Sequence, residues 1–328
     1  MTVPLDPGAR PALPKMQRLA DRLLSALDAG PGALEALVDA VPVDRRDRFE
    51  TLLTCYDLST ADLTTLGARA RFGRHPAVAA ITWRLEQEWL TELHRVPAPP
   101  GGGSEDECLA AMRALAARDR LPAAYEWVAR DASYDELVQF LALEGGPDGG
   151  FDDLVAACQI GLAGEPKLEM ARNYWDEMGN GAAERVHTVL HDDLVRAIDM
   201  PRVPRSAQPV EALERAALGG LFAANHWLQP EMVGALGLIE LQAGPRCRKV
   251  LAGLERTGAG SGAIPFYAEH AEVDPRHGQD WLVNAIAPLV RERPEWGSRM
   301  LRGAAWRSHV NAAFFERLWQ DLRQSAAA

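Results

Sequence analysis

The sequence predicts an all-α protein in which antiparallel helices pack around a shared core. Apolar residues recur at helical spacing through most of the chain, and proline, glycine and aspartate separate the helical segments. Convincing alternation of apolar and polar residues, the pattern of a strand, is absent. The 328 residues, 47% of them hydrophobic, are enough for a sizeable core.

Helices are predicted before residue 96, after a Pro-rich start that we expect to be mobile. They cover 15–29, 32–40, 44–56, 60–69 and 76–95. The run VPAPPGGGSEDE at 96–107 indicates a linker, because its PP and GGG oppose both helix and strand. We therefore place a helical N-terminal extension at 1–100 and a second helical domain at 107–328.

The helical pattern continues beyond the linker without an internal repeat. The predicted helices cover 107–118, 121–130, 133–144, 151–162, 166–178, 181–198, 209–225, 229–242, 244–255, 264–274, 278–292, 294–303 and 308–325.

Composition and charge argue against several classes of protein. A formal net charge of −11 disfavours nucleic-acid binding, which depends on Lys and Arg to neutralise phosphates. The four cysteines show no CxxC spacing, which favours reduced thiols and a cytoplasmic location over a disulfide or zinc framework. Neither an apolar signal segment nor a stretch of about 18 apolar residues is visible, so we expect no targeting segment and no membrane anchor.

The sharpest set of potential metal ligands is His270, Asp274 and His277 in FYAEHAEVDPRHGQDW. Their i, i+4, i+7 spacing puts the three side chains within about 60° of one another on one helix face. Two imidazoles and a carboxylate suit divalent iron or a similar transition-metal ion, and a solvated polar face is the alternative. Pro275 removes one backbone hydrogen bond, so we expect the helix to be locally irregular.

Two glutamates lie in apolar sequence. Glu240 interrupts MVGALGLIELQAG, where burial of a carboxylate is costly unless it is paired or binds a cation. A position on the one wet edge of the helix is the alternative. Glu144 in LVQFLALEGG shows the same pattern near a glycine-rich helix end, where solvent is closer.

A Gly-Asn-Gly interruption at 179–181 separates Glu177 from His187. In one straight helix these two residues would be about 15 Å apart along the axis and diverge by roughly 80°, which a single metal ion could not easily bridge. Two metal ions a few ångströms apart could, particularly if the interruption kinks or bulges the helix. Glu184 is the competing acid, because Glu184-x-x-His187 has the ExxH spacing of ferritin-like dimetal bundles.

Six residues together offer three carboxylates and three imidazoles, a sensible ligand set for two iron ions. They are Glu177, His187, Glu240, His270, Asp274 and His277. Three polar residues that follow at helical spacing are expected to form a solvated face. They are His191, Asp192 and Asp193.

The combined pattern resembles the heme-oxygenase-like diiron oxidase and oxygenase family over roughly 107–325. The motifs are E-x-G-x-G-x5-H at 177–187, a glutamate in an apolar helix at 240 and H-x3-D-x2-H at 270–277. The resemblance implies a core of about seven helices without heme, in which these three segments supply the six ligands to two iron ions that activate dioxygen. Some N-oxygenating members have a further glutamate ligand, for which Glu144 is the candidate.

The resemblance implies an O2-dependent enzyme that oxidises a small amino acid or amine in natural-product biosynthesis, with N-oxygenation favoured. Oxidative C–C cleavage or decarboxylation of an amino acid or fatty acid is the alternative reaction. Ferritin-like iron binding or an inert helical interaction module is the non-enzymatic alternative. The expected cofactors are two Fe ions, with O2 as cosubstrate.

The expected partner is a small-molecule substrate, with no nucleic acid and no membrane. An external electron donor and a homodimer are left open. Four aromatic residues flank the proposed ligands and could line a pocket or fill the core; they are Tyr174, Trp175, Phe266 and Tyr267. Arg302 and Arg307 are candidates for binding a substrate carboxylate.

Overall fold

The computed structural model describes residues 17–118, 123–145 and 150–325. Within these ranges the chain is helical and contains no β-strand, which confirms the predicted all-α class. The Pro-rich start that we expected to be mobile lies outside the described residues, as do the first two residues of the predicted helix 121–130.

The α-helices fall on both sides of an irregular segment at 96–104. The N-terminal ones are α1 (Leu19–Ala29), α2 (Pro31–Glu35), α3 (Arg45–Thr60), α4 (Leu63–Leu66) and α5 (Pro76–Leu93). The later ones are α6 (Glu105–Arg118), α7 (Ala123–Arg130), α8 (Tyr134–Glu144), α9 (Phe151–Cys158), α10 (Gly164–Glu177), α11 (His187–Ala197), α12 (Val210–Ala224), α13 (Gln229–Thr257), α14 (Ile264–Asp280), α15 (Ala287–Glu292) and α16 (Pro294–Ser325). Short 3₁₀ turns occupy Gly67–Phe72, Gly179–Gly181, Ala183–Arg185, Arg205–Ala207, His226–Leu228 and Ser261–Ala263, and a π-helical segment, Trp281–Ile286, joins α14 to α15.

Local chemistry explains where several helices begin. Ser133 and Glu136 form a capping box at the start of α8, and the Asp44 carboxylate accepts a hydrogen bond from a backbone N–H of α3. Pro230 and Pro265 stand in the first turns of α13 and α14, where proline needs no hydrogen-bond donor. These starts determine which turn of each helix carries the candidate ligands.

Two predicted helix breaks are wrong. α13 runs through Gly244-Pro245 as one helix of 29 residues, and α16 joins the predicted segments 294–303 and 308–325 into one of 32. In α13 the lost hydrogen bond of Pro245 is offset by packing, because this helix packs extensively against α14 and α16. A Cβ at Gly244 would lie only 2.8 Å from Cδ of Pro275 in α14, so the glycine is needed for this close approach.

α14 also continues through Pro275, where we expected an irregularity. The irregular part of this region is the π-helical segment, which begins at Trp281. Such segments often occur at functional sites. α10 packs against the π-helical segment, and α11 and α13 pack against α14. The three predicted ligand-bearing regions therefore meet around α14.

The N-terminal helices share the hydrophobic core of the later ones. α3 packs on α12, where the ring of Tyr56 lies against Gly220, and the Trp89 indole N–H donates to Glu214 at 3.2 Å. One buried cluster includes Phe49 of α3 and residues of α12, α13 and α16. The division of the chain at the linker stays a prediction about independent folding.

Two further findings bear on the sequence analysis. Cys55, Cys108, Cys158 and Cys247 are free thiols, and the first three are buried. No helix in the described ranges combines the length and the apolar character that crossing a bilayer requires.

Close packing of α13 against α16 gives a stability prediction. Replacing Gly303 with alanine should lower the free energy of unfolding by about 1–3 kcal/mol, because the new Cβ would lie 1.9 Å from the backbone carbonyl oxygen of Glu231. Gly32→Ala is the control, since nothing lies within 4 Å of a Cβ there. Urea unfolding followed by circular dichroism measures both. Equal unfolding midpoints for the two variants would contradict the described packing.

Candidate metal centre

The Gly-Asn-Gly segment breaks the helix instead of kinking it. α10 ends at Glu177, the residues of Gly179–Gly181 all have positive φ, and α11 begins at His187, not at 181 as predicted. A Cβ at Gly179 would lie 2.5 Å from the backbone carbonyl carbon of Arg185, so only glycine allows this tight return. The break brings Glu177 Oε2 to 2.6 Å from His187 Nδ1.

Glu177, His187 and His270 form the first candidate metal-binding group. One ligand atom of each lies within 4.8 Å of the other two, and the rings of the two histidines are 4.4 Å apart. His270 Nδ1 lies 2.7 Å from the carbonyl oxygen of Phe266. Because a carbonyl only accepts, Nδ1 must carry the proton, which leaves the lone pair of His270 on Nε2.

Glu240, Asp274 and His277 form the second group, and all three are buried. Glu240 Oε2 lies 3.7 Å from His277 Nδ1. The other carboxylate oxygen of Glu240 accepts a hydrogen bond of 2.7 Å from the side-chain amide of Asn173 in α10. Each of the three helices α10, α13 and α14 therefore contributes to this group or holds one of its members.

Asp176 orients the second group, and our sequence analysis missed it. Its Oδ2 lies 2.8 Å from His277 Nε2, so Nε2 carries the proton and the lone pair on Nδ1 faces Glu240. A carboxylate behind a ligating histidine is a common arrangement at metal sites. A signal for this role is present in the sequence. Glu169, Asn173 and Glu177 form a buried polar stripe on α10 at i, i+4 and i+8, and Asp176, seven residues after Glu169, lies near the same helix face.

Burial and mutual repulsion disfavour the ionised carboxylates. Burial raises the pKa of Glu240 to about 8, and the negative charge of Glu177 adds to the effect. Burial also raises the pKa of Asp274 well above its usual range, with further contributions from Glu240 and Glu177. The pKa of His270 is lowered, first by burial and then by the neighbouring His187. The two groups are adjacent, because Asn173, which bonds Glu240, lies one turn before Glu177 on α10, and Asp274 lies one turn after His270 on α14.

The donor set fits divalent iron or similar ions. Within the part of the chain that the structure describes, His277 Nδ1 and Asp274 Oδ2 are buried and form no hydrogen bond, and His187 Nδ1 lies against the Glu177 carboxylate. Buried lone pairs and carboxylates that converge without a partner are costly, and a cation removes that cost. One group offers two imidazoles and one carboxylate, and the other offers one imidazole and two carboxylates. Such N and O donors match borderline cations, and three protein ligands leave coordination positions open.

The two other candidate acids lie outside both groups. Glu184 is exposed in its 3₁₀ turn, so the acid within reach of His187 is Glu177. Glu144 ends α8, and its carboxylate accepts hydrogen bonds from Tyr125 Oη at 2.6 Å and Tyr267 Oη at 3.3 Å. The structure thus engages Glu144 with two tyrosines and not with a candidate ligand.

The predicted solvated face of α11 is only partly solvated. His191 is half-buried with its ring 5.2 Å from that of Phe266, edge to face, and burial lowers its pKa. Asp192 is exposed, and Asp193 forms an ion pair with Arg196 on the same helix. Neither acid belongs to the two candidate groups.

The flanking aromatic residues divide between core and pocket. Tyr267 is buried, and Tyr174 is half-buried against the main hydrophobic cluster. Phe266 stacks on His270 with a centroid separation of 4.4 Å, while Trp175 is exposed at a cavity wall. Tyr174 and Tyr267 therefore pack in or against the core, and Trp175 lines a pocket.

The two candidate arginines, Arg302 and Arg307, belong to α16 and do not lie at the candidate metal centre. Arg302 forms an ion pair with the fully buried Glu231 of α13, which Arg299 also contacts at 2.7 Å. Arg307 is buried in α16. Neither lines the cavity beside the second group.

A polar cavity of about 420 Å³ lies between α10 and the α14–π-helical region. His277, Asn173 and Asp176 line it, so the cavity reaches the second candidate group. Its charged lining residues are Glu169, Arg172, Asp176, Arg276 and Asp280. The cavity thus offers both carboxylates and guanidinium groups to a small ligand.

Comparison with protein-family models matches residues 138–312 to a family described as iron-containing redox enzymes. The matched region is more than half of the chain and contains all residues of both candidate groups. A search of curated proteins finds no match.

The break after α10 predicts which acid supports metal binding. Glu177→Gln should weaken Fe(II) binding by more than about tenfold, because it removes a charged donor from the first group. Glu184→Gln is the matched control, since Glu184 is exposed outside both groups and should leave affinity unchanged. Anaerobic calorimetric titration measures both. A loss confined to Glu184→Gln would refute the placement of Glu177.

The raised pKa of Glu240 predicts a pH-dependent stability of the metal-free protein. Folded Glu240 holds its proton up to pH about 8, whereas the unfolded side chain releases it near pH 4.3. Its stabilising contribution is therefore complete below about pH 4.3 and is lost as the pH rises toward 8, with a slope of up to about 1.4 kcal/mol per pH unit. Glu240→Gln should flatten this decline, and Glu184→Gln should not. Calorimetric melting with a chelator present tests this, and identical pH profiles for wild type and Glu240→Gln would contradict it.

Proposed function

Because the chain belongs to the family of iron-containing redox enzymes, we propose that it is a non-heme diiron oxygenase or oxidase that uses dioxygen to oxidise a small amino acid or amine. The observation that carries this proposal is the adjacency of two three-residue groups in which every member except the half-buried His270 is buried. Heme iron is held by one or two axial side chains, whereas here carboxylates and imidazoles converge from several helices. This donor set supports iron bound directly by the protein.

The residues of the chain would bind the metal ions and fix their surroundings. Glu177, His187 and His270 would hold one iron ion, and Glu240, Asp274 and His277 the other. The chemistry that two iron ions would supply at this site is the reduction of dioxygen. The buried carboxylates balance the positive charge of the metal ions, which in turn removes the repulsion among the acids.

Hydrogen bonds from outside the two groups would orient the ligands. The Phe266 carbonyl oxygen and the Asp176 carboxylate fix the protonated nitrogens of His270 and His277, so that the opposite nitrogens face the groups. Asn173 holds one oxygen of Glu240 and leaves the other toward His277. The ligand geometry is thus set before a metal ion binds.

The polar cavity supports an amino acid or amine over a fatty acid as substrate. Arg172 and Arg276 can bind a carboxylate, and Glu169 and Asp280 can bind an ammonium group. The residues that line this cavity are polar or charged apart from Trp175, whereas a long acyl chain is best bound by apolar side chains. A volume of about 420 Å³ suits a molecule of amino-acid size.

The contacts of Glu144 favour neither reaction over the other. The sequence favours N-oxygenation because Glu144 is a candidate for an additional ligand, but in the structure its carboxylate accepts hydrogen bonds from two tyrosines outside both groups. N-oxygenation and oxidative C–C cleavage of an amino acid are therefore equal candidates.

The buried free thiols Cys55, Cys108 and Cys158 support our proposal of a cytoplasmic location.

Iron loading followed by substrate screening tests the proposed function. Anaerobic titration should saturate near about two Fe(II) per chain, one for each candidate group. On exposure to dioxygen, an amino acid or amine should accelerate oxygen consumption and give an oxygenated or cleaved product by mass spectrometry, whereas saturated fatty acids should not. Simultaneous His270→Ala and His277→Ala should abolish binding, while His226→Ala, at an exposed histidine, serves as the control.

Three outcomes would contradict the proposal. Absence of iron binding, or undiminished binding in the double variant, would refute the metal centre. Uptake of many iron ions per chain with no response to any amine, amino acid or fatty acid would favour ferritin-like storage instead. Conversion of a fatty acid alone would refute the proposed substrate class.

A further inference from the structure

Glu144 joins two buried phenols beside the candidate metal centre. Tyr125 Oη donates to one carboxylate oxygen at 2.6 Å, and Tyr267 Oη donates to the other at 3.3 Å. The two tyrosines are 1% and 4% exposed. Burial raises the pKa of both phenols well above the usual range, so both are protonated donors and Glu144 is the acceptor.

Tyr267 is linked to the first candidate group through a series of ring contacts, the first of them edge-to-face. Its ring centroid is 5.1 Å from that of Phe266, and the Phe266 centroid is 4.4 Å from that of His270. His270 in turn lies 4.4 Å from His187. α14 places Tyr267 one turn before His270, on nearly the same helix face. Short separations between buried and half-buried rings therefore connect this phenol to two of the proposed ligands.

We propose that Tyr267 is a redox-active residue that gives one electron to the metal centre and its phenolic proton to Glu144. The inference rests on the proposed function, because the oxidant is the non-heme iron centre after its reaction with dioxygen. The Tyr267 O–H bond breaks, the electron reduces the iron centre, and the proton forms a new O–H bond on Glu144 Oε2. The products are a neutral tyrosyl radical and a protonated carboxyl group.

The position of Glu144 makes this oxidation feasible inside the protein. Removal of an electron alone would leave a positively charged phenol in a buried site, which is costly. Transfer of the proton to a carboxylate already at hydrogen-bond distance keeps the tyrosine ring neutral. The charge of the tyrosine–glutamate pair then changes from −1 to 0, and the change is on Glu144, which also accepts a hydrogen bond from Tyr125. Glu144 thus acts as the proton acceptor for Tyr267.

Tyr267 is the better electron donor of the two tyrosines. Its aromatic neighbour Phe266 contacts His270, whereas the ring of Tyr125 contacts Phe140 edge to face and Phe315 at a tilt. The Arg246 guanidinium is 5.7 Å from the ring centroid of Tyr125, and a positive charge there opposes loss of an electron. When no substrate is bound, the metal centre would then oxidise Tyr267 instead of the ligating histidines.

Freeze-quench electron paramagnetic resonance tests the inference. Fe(II)-loaded protein is mixed with dioxygen without substrate, and iron content and oxygen consumption are measured on the same samples. Wild type should give an organic radical whose hyperfine splitting changes when the protein contains ring-deuterated tyrosine. Tyr267→Phe should abolish the signal, and Glu144→Gln, which removes the proton acceptor, should lower its yield severalfold.

Two variants serve as controls. Tyr56→Phe removes another buried phenol bonded to a carboxylate, that of Glu86 at 3.0 Å in the N-terminal helices, and should leave the radical unchanged. Tyr125→Phe should also retain it, because Tyr267 keeps its bond to Glu144. Circular dichroism and iron content confirm that each variant folds and loads.

The outcomes separate this inference from the proposed function. Oxygen consumption without a tyrosyl radical, or a radical that persists in Tyr267→Phe, would overturn the inference and leave the diiron proposal intact. Failure of wild type to bind iron or to consume oxygen would overturn both.

Discussion

The structure depends on the burial of three carboxylates, Glu177, Glu240 and Asp274, in one site. In the absence of a cation they repel one another, and their surroundings favour the neutral acids at Glu240 and Asp274. They come from the ends or middles of three different helices, so any shift of one helix changes the spacing of the others. Bound iron would turn this mutual repulsion into an attraction shared by all three helices.

The surroundings of the site hold the ligands in fixed orientations. Asn173 and Asp176 of α10 reach across to Glu240 and His277, and the backbone of Phe266 fixes His270. Glycines such as Gly244 bring the helix backbones close enough for these contacts. The protein's own contacts therefore hold these ligands in one arrangement, which is what a catalyst that must bind two ions requires.

The fold class and the candidate site follow from the sequence to different degrees. Helical spacing of apolar residues predicts the all-α class, and the spacing from His270 to His277 places three candidate ligands on one face of α14. Local rules fail at Pro245, where packing of α13 outweighs a missing hydrogen bond. At 179–181 they predict a kink or bulge within one helix, whereas the structure ends α10 at Glu177 and begins α11 at His187. Asp176 and Glu144 have roles set by neighbours remote in sequence, His277 and Tyr267, which spacing along a helix does not reveal.

The central claim is that one buried site holds two iron ions, one at each candidate group. Anomalous diffraction at the iron edge, from crystals grown anaerobically with Fe(II), tests it most directly. The account predicts two peaks within about 4 Å of each other, one bounded by Glu177, His187 and His270 and the other by Glu240, Asp274 and His277. A single peak, or peaks outside these six residues, would contradict it.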